Sequence, residues 1–245
     1  MPVIAFANPK GGAGKTTAAL LLASVLAARG ARIVILDADP ERWITQWSSL
    51  GEVPAGVEVV SDVTEDGVVD QVESAAARAQ FVIIDLEGTA SLMVANAVGM
   101  ADLVVIPSQG GSMDAKGAAK TIKLVRNQER LARRSIPHAV LMTRTSAAVT
   151  SRSLRNVLDQ LDQAQIPVFR TPIVERAAYR DIFDYGGLLS DLPAGRVSNL
   201  DRAVENAEAF AAEVLAKLKE ARTGADAGAG GDAGAGTAAE TAGAA

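Results

Sequence analysis

Short apolar runs recur along this chain with Ala- and Leu-rich stretches between them, and that alternation restricts the fold more than any other property. Val3-Ile4-Ala5-Phe6, Ile33-Val34-Ile35-Leu36, Phe81-Val82-Ile83-Ile84 and Leu103-Val104-Val105-Ile106 contain no polar residue to turn towards water. Strands of this kind are buried on both faces, as in a parallel sheet covered on each side by crossover helices. The expected strands are Val3–Asn8, Arg32–Asp37, Val57–Val60, Phe81–Asp85, Leu103–Pro107, Ala139–Thr143 and Val168–Arg170. Helices are expected at Lys15–Arg29, Glu41–Leu50, Glu65–Ala79, Ser91–Met100, Asp114–Arg134, Ala147–Gln163, Glu175–Tyr185 and Leu200–Arg222. The fold class is therefore α/β, a mostly parallel, doubly wound sheet with helices on both faces.

Composition sets the limits. Of 245 residues, 49% are hydrophobic, enough for one large core in a body spanning 1–222. From 223 to 245 the chain is nearly all Ala and Gly, and it lacks the bulky apolar groups that offset ordering entropy, so a disordered acidic tail is expected. Removing its Asp226, Asp232 and Glu240 from the formal charge of −5 leaves −2 for the body. With no cysteine there is no disulfide framework or thiolate chemistry, and the single histidine, His138, excludes a histidine-held zinc. No apolar stretch approaches a membrane span, and Met1-Pro2 leads straight into the first strand without a signal peptide. The expected location is the cytoplasm.

Between the first strand and the first helix lies Lys10-Gly11-Gly12-Ala13-Gly14-Lys15-Thr16-Thr17. Strand, glycine loop and helix in that order make a phosphate-binding loop. Without a Cβ the glycines let the backbone curl and aim several N–H groups at one anion, beside the positive end of the helix. Lys15 can reach the β- and γ-phosphates, and the Thr16 hydroxyl can ligate Mg²⁺. The general pattern begins with a glycine where this chain has Pro9, and Lys10 is a cation that such a loop does not require. Asp85 ends an apolar run, as a carboxylate at the ligand-binding edge of a parallel sheet would. Asp37 and Asp39 flank Ala38 at the end of another; Asp37 also reads as a cap before Pro40.

Asn8-Pro9-Lys10-Gly11-Gly12-Ala13-Gly14-Lys15-Thr16-Thr17 resembles the deviant phosphate loop of the ParA/MinD ATPases. Three further segments fall in that family's order: Asp37-Ala38-Asp39-Pro40, the Walker B-like Phe81–Asp85, and Leu103–Pro107 with its terminal proline. The resemblance covers roughly Pro2 to Ala221. It implies a P-loop NTPase sheet that uses ATP and Mg²⁺, with Gly11 to Thr17 on the phosphates and Thr16, Asp37 and Asp85 at the metal. It implies catalytic roles for Lys10, Lys15 and Asp39, with Asp39 positioning the attacking water and Lys10 reaching the nucleotide of a second subunit. Arg144 and Pro172 are the implied adenine neighbours. After Asp85 the family usually has two prolines; Leu86-Glu87-Gly88-Thr89 here is closer to the sub-branch related to the T-DNA transfer enhancer.

Charge and aromatic placement add softer signals. Lys116, Lys120, Lys123, Arg126, Arg130 and Arg133 recur at three- and four-residue steps, which places them along one helix face, with only Asp114 and Glu129 opposing them. Arg144, Arg152, Arg155, Arg170, Arg176 and Arg180 follow. Such a face is either solvated or a non-specific DNA surface. Trp43 and Trp47, four residues apart, form either a partner patch or a helix face packed on the sheet. Near the end, Phe210, Val214, Leu215 and Leu218 make an apolar helical face, while Glu213, Lys217, Lys219 and Glu220 mix both signs. That fits docking onto the body better than membrane insertion.

The resemblance implies a slow ATPase switch: a homodimer with ATP, bound non-specifically to DNA on the nucleoid, reset by a ParB-like or cargo adaptor protein that stimulates hydrolysis. The first strand starts at once, so no N-terminal DNA-reading domain is expected. The alternative is an ATP-binding scaffold with little hydrolysis. Relatives that bridge a metal cluster with cysteines are excluded by their absence here.

Overall fold

A computed structural model describes residues 1–229 apart from Ala90 and Ala148; the expected tail beyond 229 lies outside the described residues. Seven strands, β1 Val3–Phe6, β2 Ile33–Ala38, β3 Val57–Val60, β4 Phe81–Leu86, β5 Leu103–Ser108, β6 His138–Thr145 and β7 Ile173–Val174, lie in the order β3-β2-β4-β1-β5-β6-β7. All pairings are parallel. The helices are α1 Lys15–Ala28, α2 Trp43–Ser48, α3 Val68–Arg78, α4 Leu92–Met100, α5 Ser112–Ala132, α6 Arg152–Gln163, α7 Ala178–Tyr185 and α8 Leu200–Ala229, with a 3-10 turn at Leu189–Asp191.

Successive strand residues point to opposite faces, so each strand feeds two cores. Ile4, Phe6, Ile33, Ile35, Ile83, Leu103 and Val105 pack beneath α1, α2, α7 and α8. Val3, Ala5, Val34, Leu36, Val82, Ile84, Val104 and Ile106 pack beneath α3, α4, α5 and α6. Helix α1 is apolar all round, and Leu20, Leu21 and Leu22 are fully buried because α8 covers the side that the sheet does not. Phe210, Val214 and Leu218 make that cover, so the apolar face of α8 docks on the body. No helix among the described residues is long and apolar enough to cross a membrane.

Several boundaries differ from the sequence expectation, three of them for identifiable reasons. Helix α2 starts at Trp43 and not at Glu41, because the Asp39 side chain and carbonyl accept the N–H groups of Glu41 and Arg42 in a turn. Helix α6 starts at Arg152, five residues later than expected, where the Ser151 side chain caps Leu154 N. The strand expected at Val168–Arg170 is only a bridge from Val168 to Val140. There the N–H groups of Arg170 and Thr171 turn to the Glu213 carboxylate on α8, and the strand forms later, at Ile173–Val174. Helix α8 runs seven residues beyond the expected end of the body at 222, to Ala229.

Candidate nucleotide site

The chain passes from β1 into the glycine loop at the point where sheet order reverses, between β4 and β5, which is where open α/β sheets bind ligands. Buried Asn8 sets the entry: its Nδ2 donates to Pro107 O at 2.6 Å and its Oδ1 accepts Lys10 N at 2.9 Å. A Cβ on Gly117 of α5 would meet that Oδ1 at 2.6 Å, so a glycine is needed there. Gly14, at φ +95, takes a left-handed conformation, and a Cβ there would crowd Thr143 at 3.3 Å. Two loop carbonyls are tied outwards: Gln109 Nε2 donates to Gly12 O at 2.8 Å and Thr143 Oγ1 donates to Ala13 O at 2.7 Å.

Beside the loop is a cavity of about 510 Å³ lined by Gly11, Gly12, Ala13, Gly14, Lys15, Thr16 and Thr17, with Asp39, Glu41, Trp43 and Gly88 opposite. Lys15 is 6% exposed and forms no ion pair among the described residues, its acidic neighbour being the buried Asp85. A buried cation without an ion pair keeps its charge available to an anion in the cavity. Gly88 lies against the loop, its Cβ direction 3.5 Å from Pro9 O and 3.8 Å from Lys15 Nζ.

The three aspartates divide. Asp37 and Asp85 are register partners at the ends of β2 and β4, and both are buried. Asp37 Oδ2 accepts Thr45 N at 2.8 Å and Thr45 Oγ1 at 2.7 Å, tying α2 to the sheet, while its Oδ1 has no partner. The capping and metal-side readings of Asp37 thus fall on different oxygens. Asp85 has no hydrogen-bond partner on either oxygen. Burial pushes it up to about 7; nearby Thr16 and Lys15 favour the charge, and Asp37 and Asp39 oppose it. Thr16 lies close without completing a hydrogen bond. Three unsatisfied buried carboxylate oxygens near a hydroxyl fit a hydrated Mg²⁺, which takes few protein ligands. No cluster of three or more His, Asp or Glu able to hold a metal occurs among the described residues. Asp39 is half-buried at the cavity wall with Oδ1 on Glu41 N.

A second cleft, about 230 Å³, continues from the first and is lined by Gly14, Thr17, Thr143, Arg144, Ile173, Val174, Glu175, Arg176, Tyr179 and Arg180. Arg144 reaches both cavities from a left-handed backbone at φ 51. Pro172, expected at the base, does not line the cleft: its carbonyl is taken from behind by Asn206, and the next four residues form the wall.

Lys10 does not line the phosphate cavity. Its Nζ donates to Asp114 Oδ1 at 2.6 Å, a contact 104 residues apart that ties the loop to the first turn of α5. Asp114 is 5% exposed in its side chain and Lys10 39%. In the sequence Asp114 is only an acid opposing the basic face, Asn8 only the first residue of the loop motif, and Gln109, Thr143, Tyr179 and Asn206 carry no local signal. Glu129, the other acid near that face, accepts Ile136 N at 2.9 Å. Lys116, Lys120, Lys123, Arg126, Arg130 and Arg133 are all exposed, and none forms an ion pair among the described residues. The tryptophans separate: Trp47 is 2% exposed with its indole N–H on Gly187 O, whereas Trp43 is 49% exposed at the rim of the phosphate cavity.

Comparison with known proteins gives the family and the fold. The VirC1 protein family matches residues 1–221. The chain is 40% identical over 221 residues to the protein ParA of Rhizobium radiobacter, covering 90% of this chain and 99% of that protein. The ATP complex of an McdA variant from Cyanothece has a TM-score of 0.67 at 18% identity, covering 87% of this chain and 96% of the other. MinD of Pyrococcus horikoshii with Mg-ADP has a TM-score of 0.66 at 13% identity, covering 87% and 95%. At such identities the two structures speak for the fold, that of an α/β P-loop NTPase. With its glycine loop, its buried lysine and its match from end to end of the body, the chain belongs to the VirC1 family, in the ParA/MinD group of P-loop NTPases.

Proposed function

We propose that this protein is a ParA-type ATPase that partitions or positions DNA or a large cytoplasmic cargo. Its relative ParA and the nucleotide-bound McdA and MinD structures support nucleotide and Mg²⁺ use. The loop N–H groups and Lys15 hold the β- and γ-phosphates. Thr16, Asp85 and the free oxygen of Asp37 would hold a hydrated Mg²⁺. The metal supplies charge neutralisation on the phosphates. Asp39 orients a water whose oxygen bonds to the γ-phosphorus as the bond to ADP breaks, and its second oxygen is the one left for that water. Slow turnover suits a site whose switch segment, Leu86-Glu87-Gly88, departs from the double proline of its wider group.

The observation that carries the switch is the Lys10–Asp114 pair. Lys10 is tethered away from the phosphates of its own subunit and becomes available to a second nucleotide only when Asp114 lets go. ATP then joins two copies face to face, and Asp114 competes with dimer formation. Lys10→Ala should still bind ATP but lose ATP-dependent dimerisation in analytical ultracentrifugation, whereas Asp114→Asn should dimerise at lower ATP. Normal dimerisation by Lys10→Ala would reject the switch.

The six exposed cations of α5 are the proposed contact for sequence-independent DNA on the nucleoid, since neither nearby acid neutralises them. A salt-sensitive, ATP-dependent mobility shift that Lys120→Glu with Lys123→Glu abolishes is expected; an unchanged shift would move the contact elsewhere. A ParB-like or cargo adaptor would accelerate hydrolysis, and Trp43 at the cavity rim is a surface on which it can act. The altered segment after Asp85 also supports a second reading, an ATP-binding scaffold. Bound ATP without turnover, with or without DNA, would select it.

A further inference from the structure

The wall of the second cleft is held from behind by one helix. Strand β7 has only two residues and pairs with β6 through a register shift, so the sheet gives it little support. Helix α8 supplies the rest. The Glu213 carboxylate accepts Arg170 N at 2.8 Å and Thr171 N at 2.9 Å. The Asn206 side chain accepts Val174 N at 3.0 Å and donates to Pro172 O at 2.9 Å. Tyr179, whose ring lines the cleft, donates its hydroxyl to Ala203 O at 2.8 Å and lies 3.1 Å from Asn206 Oδ1.

The spacing is matched. Asn206 and Glu213 are seven residues apart, so they share a helix face and stand about 10 Å apart along the axis. Three extended residues, from Thr171 to Val174, cover about the same length. The other inward residues of α8, Ala203, Ala207, Phe210, Ala211 and Val214, are apolar and buried in the core beside α1. Asn206 interrupts that stripe and spends its carboxamide on the cleft wall.

We infer that Asn206 is the positioning residue of the base-side wall, holding the Val174–Arg176 backbone and the Tyr179 ring where a nucleotide base lies. It does not touch the phosphates, so it sets the part of nucleotide affinity that comes from the base and the choice between bases. Glu213 acts on Arg170 and Thr171, which do not line the cleft, and so contributes less. The inference rests on reading this cleft as the base site.

The test is calorimetric titration of the full chain with Mg-ATP, Mg-GTP and Mg-tripolyphosphate, the last carrying the phosphates without a base. Asn206→Leu should weaken ATP about tenfold, the loss of two partly buried hydrogen bonds, while leaving tripolyphosphate unchanged and narrowing the ATP-to-GTP ratio. Asn206→Asp, which keeps the acceptor for Val174 N and loses the donor to Pro172 O, should fall between it and wild type. Glu213→Ala should have a smaller effect on ATP. Equal weakening of ATP and tripolyphosphate, or no change in either, would overturn the assignment. If Asn206→Leu does not fold, Asn206→Asp decides by the same ratio. A wild-type protein that binds ATP no more tightly than tripolyphosphate would refute the base cleft itself. No binding of either ligand would instead refute the nucleotide reading.

Discussion

The two walls of the nucleotide cleft are made in different ways. The proposed phosphate wall is one contiguous piece of chain, from Asn8 to Thr17, whose backbone would supply the ligand groups; Gln109 and Thr143 hold two of its carbonyls. The base wall is a two-residue strand with an irregular partner, placed by side chains on α8. The first is stiff because β5, β6 and α5 each bond to it from outside and its helix is buried. The second is only as well placed as the helix behind it. Affinity for the triphosphate and affinity for the base are therefore separable, and mutations should divide them.

The largest effect is expected at Lys15. Lys15→Ala removes the one buried cation facing the phosphates and should weaken ATP and tripolyphosphate alike by about 100-fold in calorimetry, as loss of charge-assisted hydrogen bonds does. Loss of ATP binding alone would break the division. Next is Gly117→Val, which drives a Cβ to 2.6 Å from Asn8 Oδ1 and should cost about 2 kcal/mol, an overpacking penalty visible as a melting point several degrees lower. An unchanged melting point would show that the loop entry yields, and that the phosphate wall is softer than drawn. The smallest and sharpest is Thr143→Val, which leaves Ala13 O without its donor. It should weaken both ligands about fivefold and equally, unlike Asn206→Leu, which should spare tripolyphosphate.

The same division explains what could be read from residues alone. The glycine loop is legible because its chemistry sits in ten consecutive residues, and the four apolar strands are legible because burial on both faces leaves no polar position. Asp114 was not legible as the partner of Lys10, since nothing local distinguishes it from any acid in the first turn of a helix. The edge strand was misplaced because Val168-Phe169-Arg170 has the right composition, yet the N–H groups of Arg170 and Thr171 find a carboxylate 43 and 42 residues away. The helix expected from Glu41 begins late because Asp39 organises a turn that propensity does not register. Where a position is fixed by one distant side chain, composition has no purchase on it.

Helix α1 has a dry surface nearly throughout, with eleven of its residues buried from Lys15 to Ala27. Its amide protons should be among the last in the molecule to exchange with deuterium, because exposing them requires the sheet and α8 to come apart together. On that expectation the glycine loop stands on the part of the protein that opens least. Motion that follows nucleotide exchange has to pivot around α1, and a deuterium map should show it as a still axis with the rim around Trp43 and the α5 end of the Lys10 tether changing on either side.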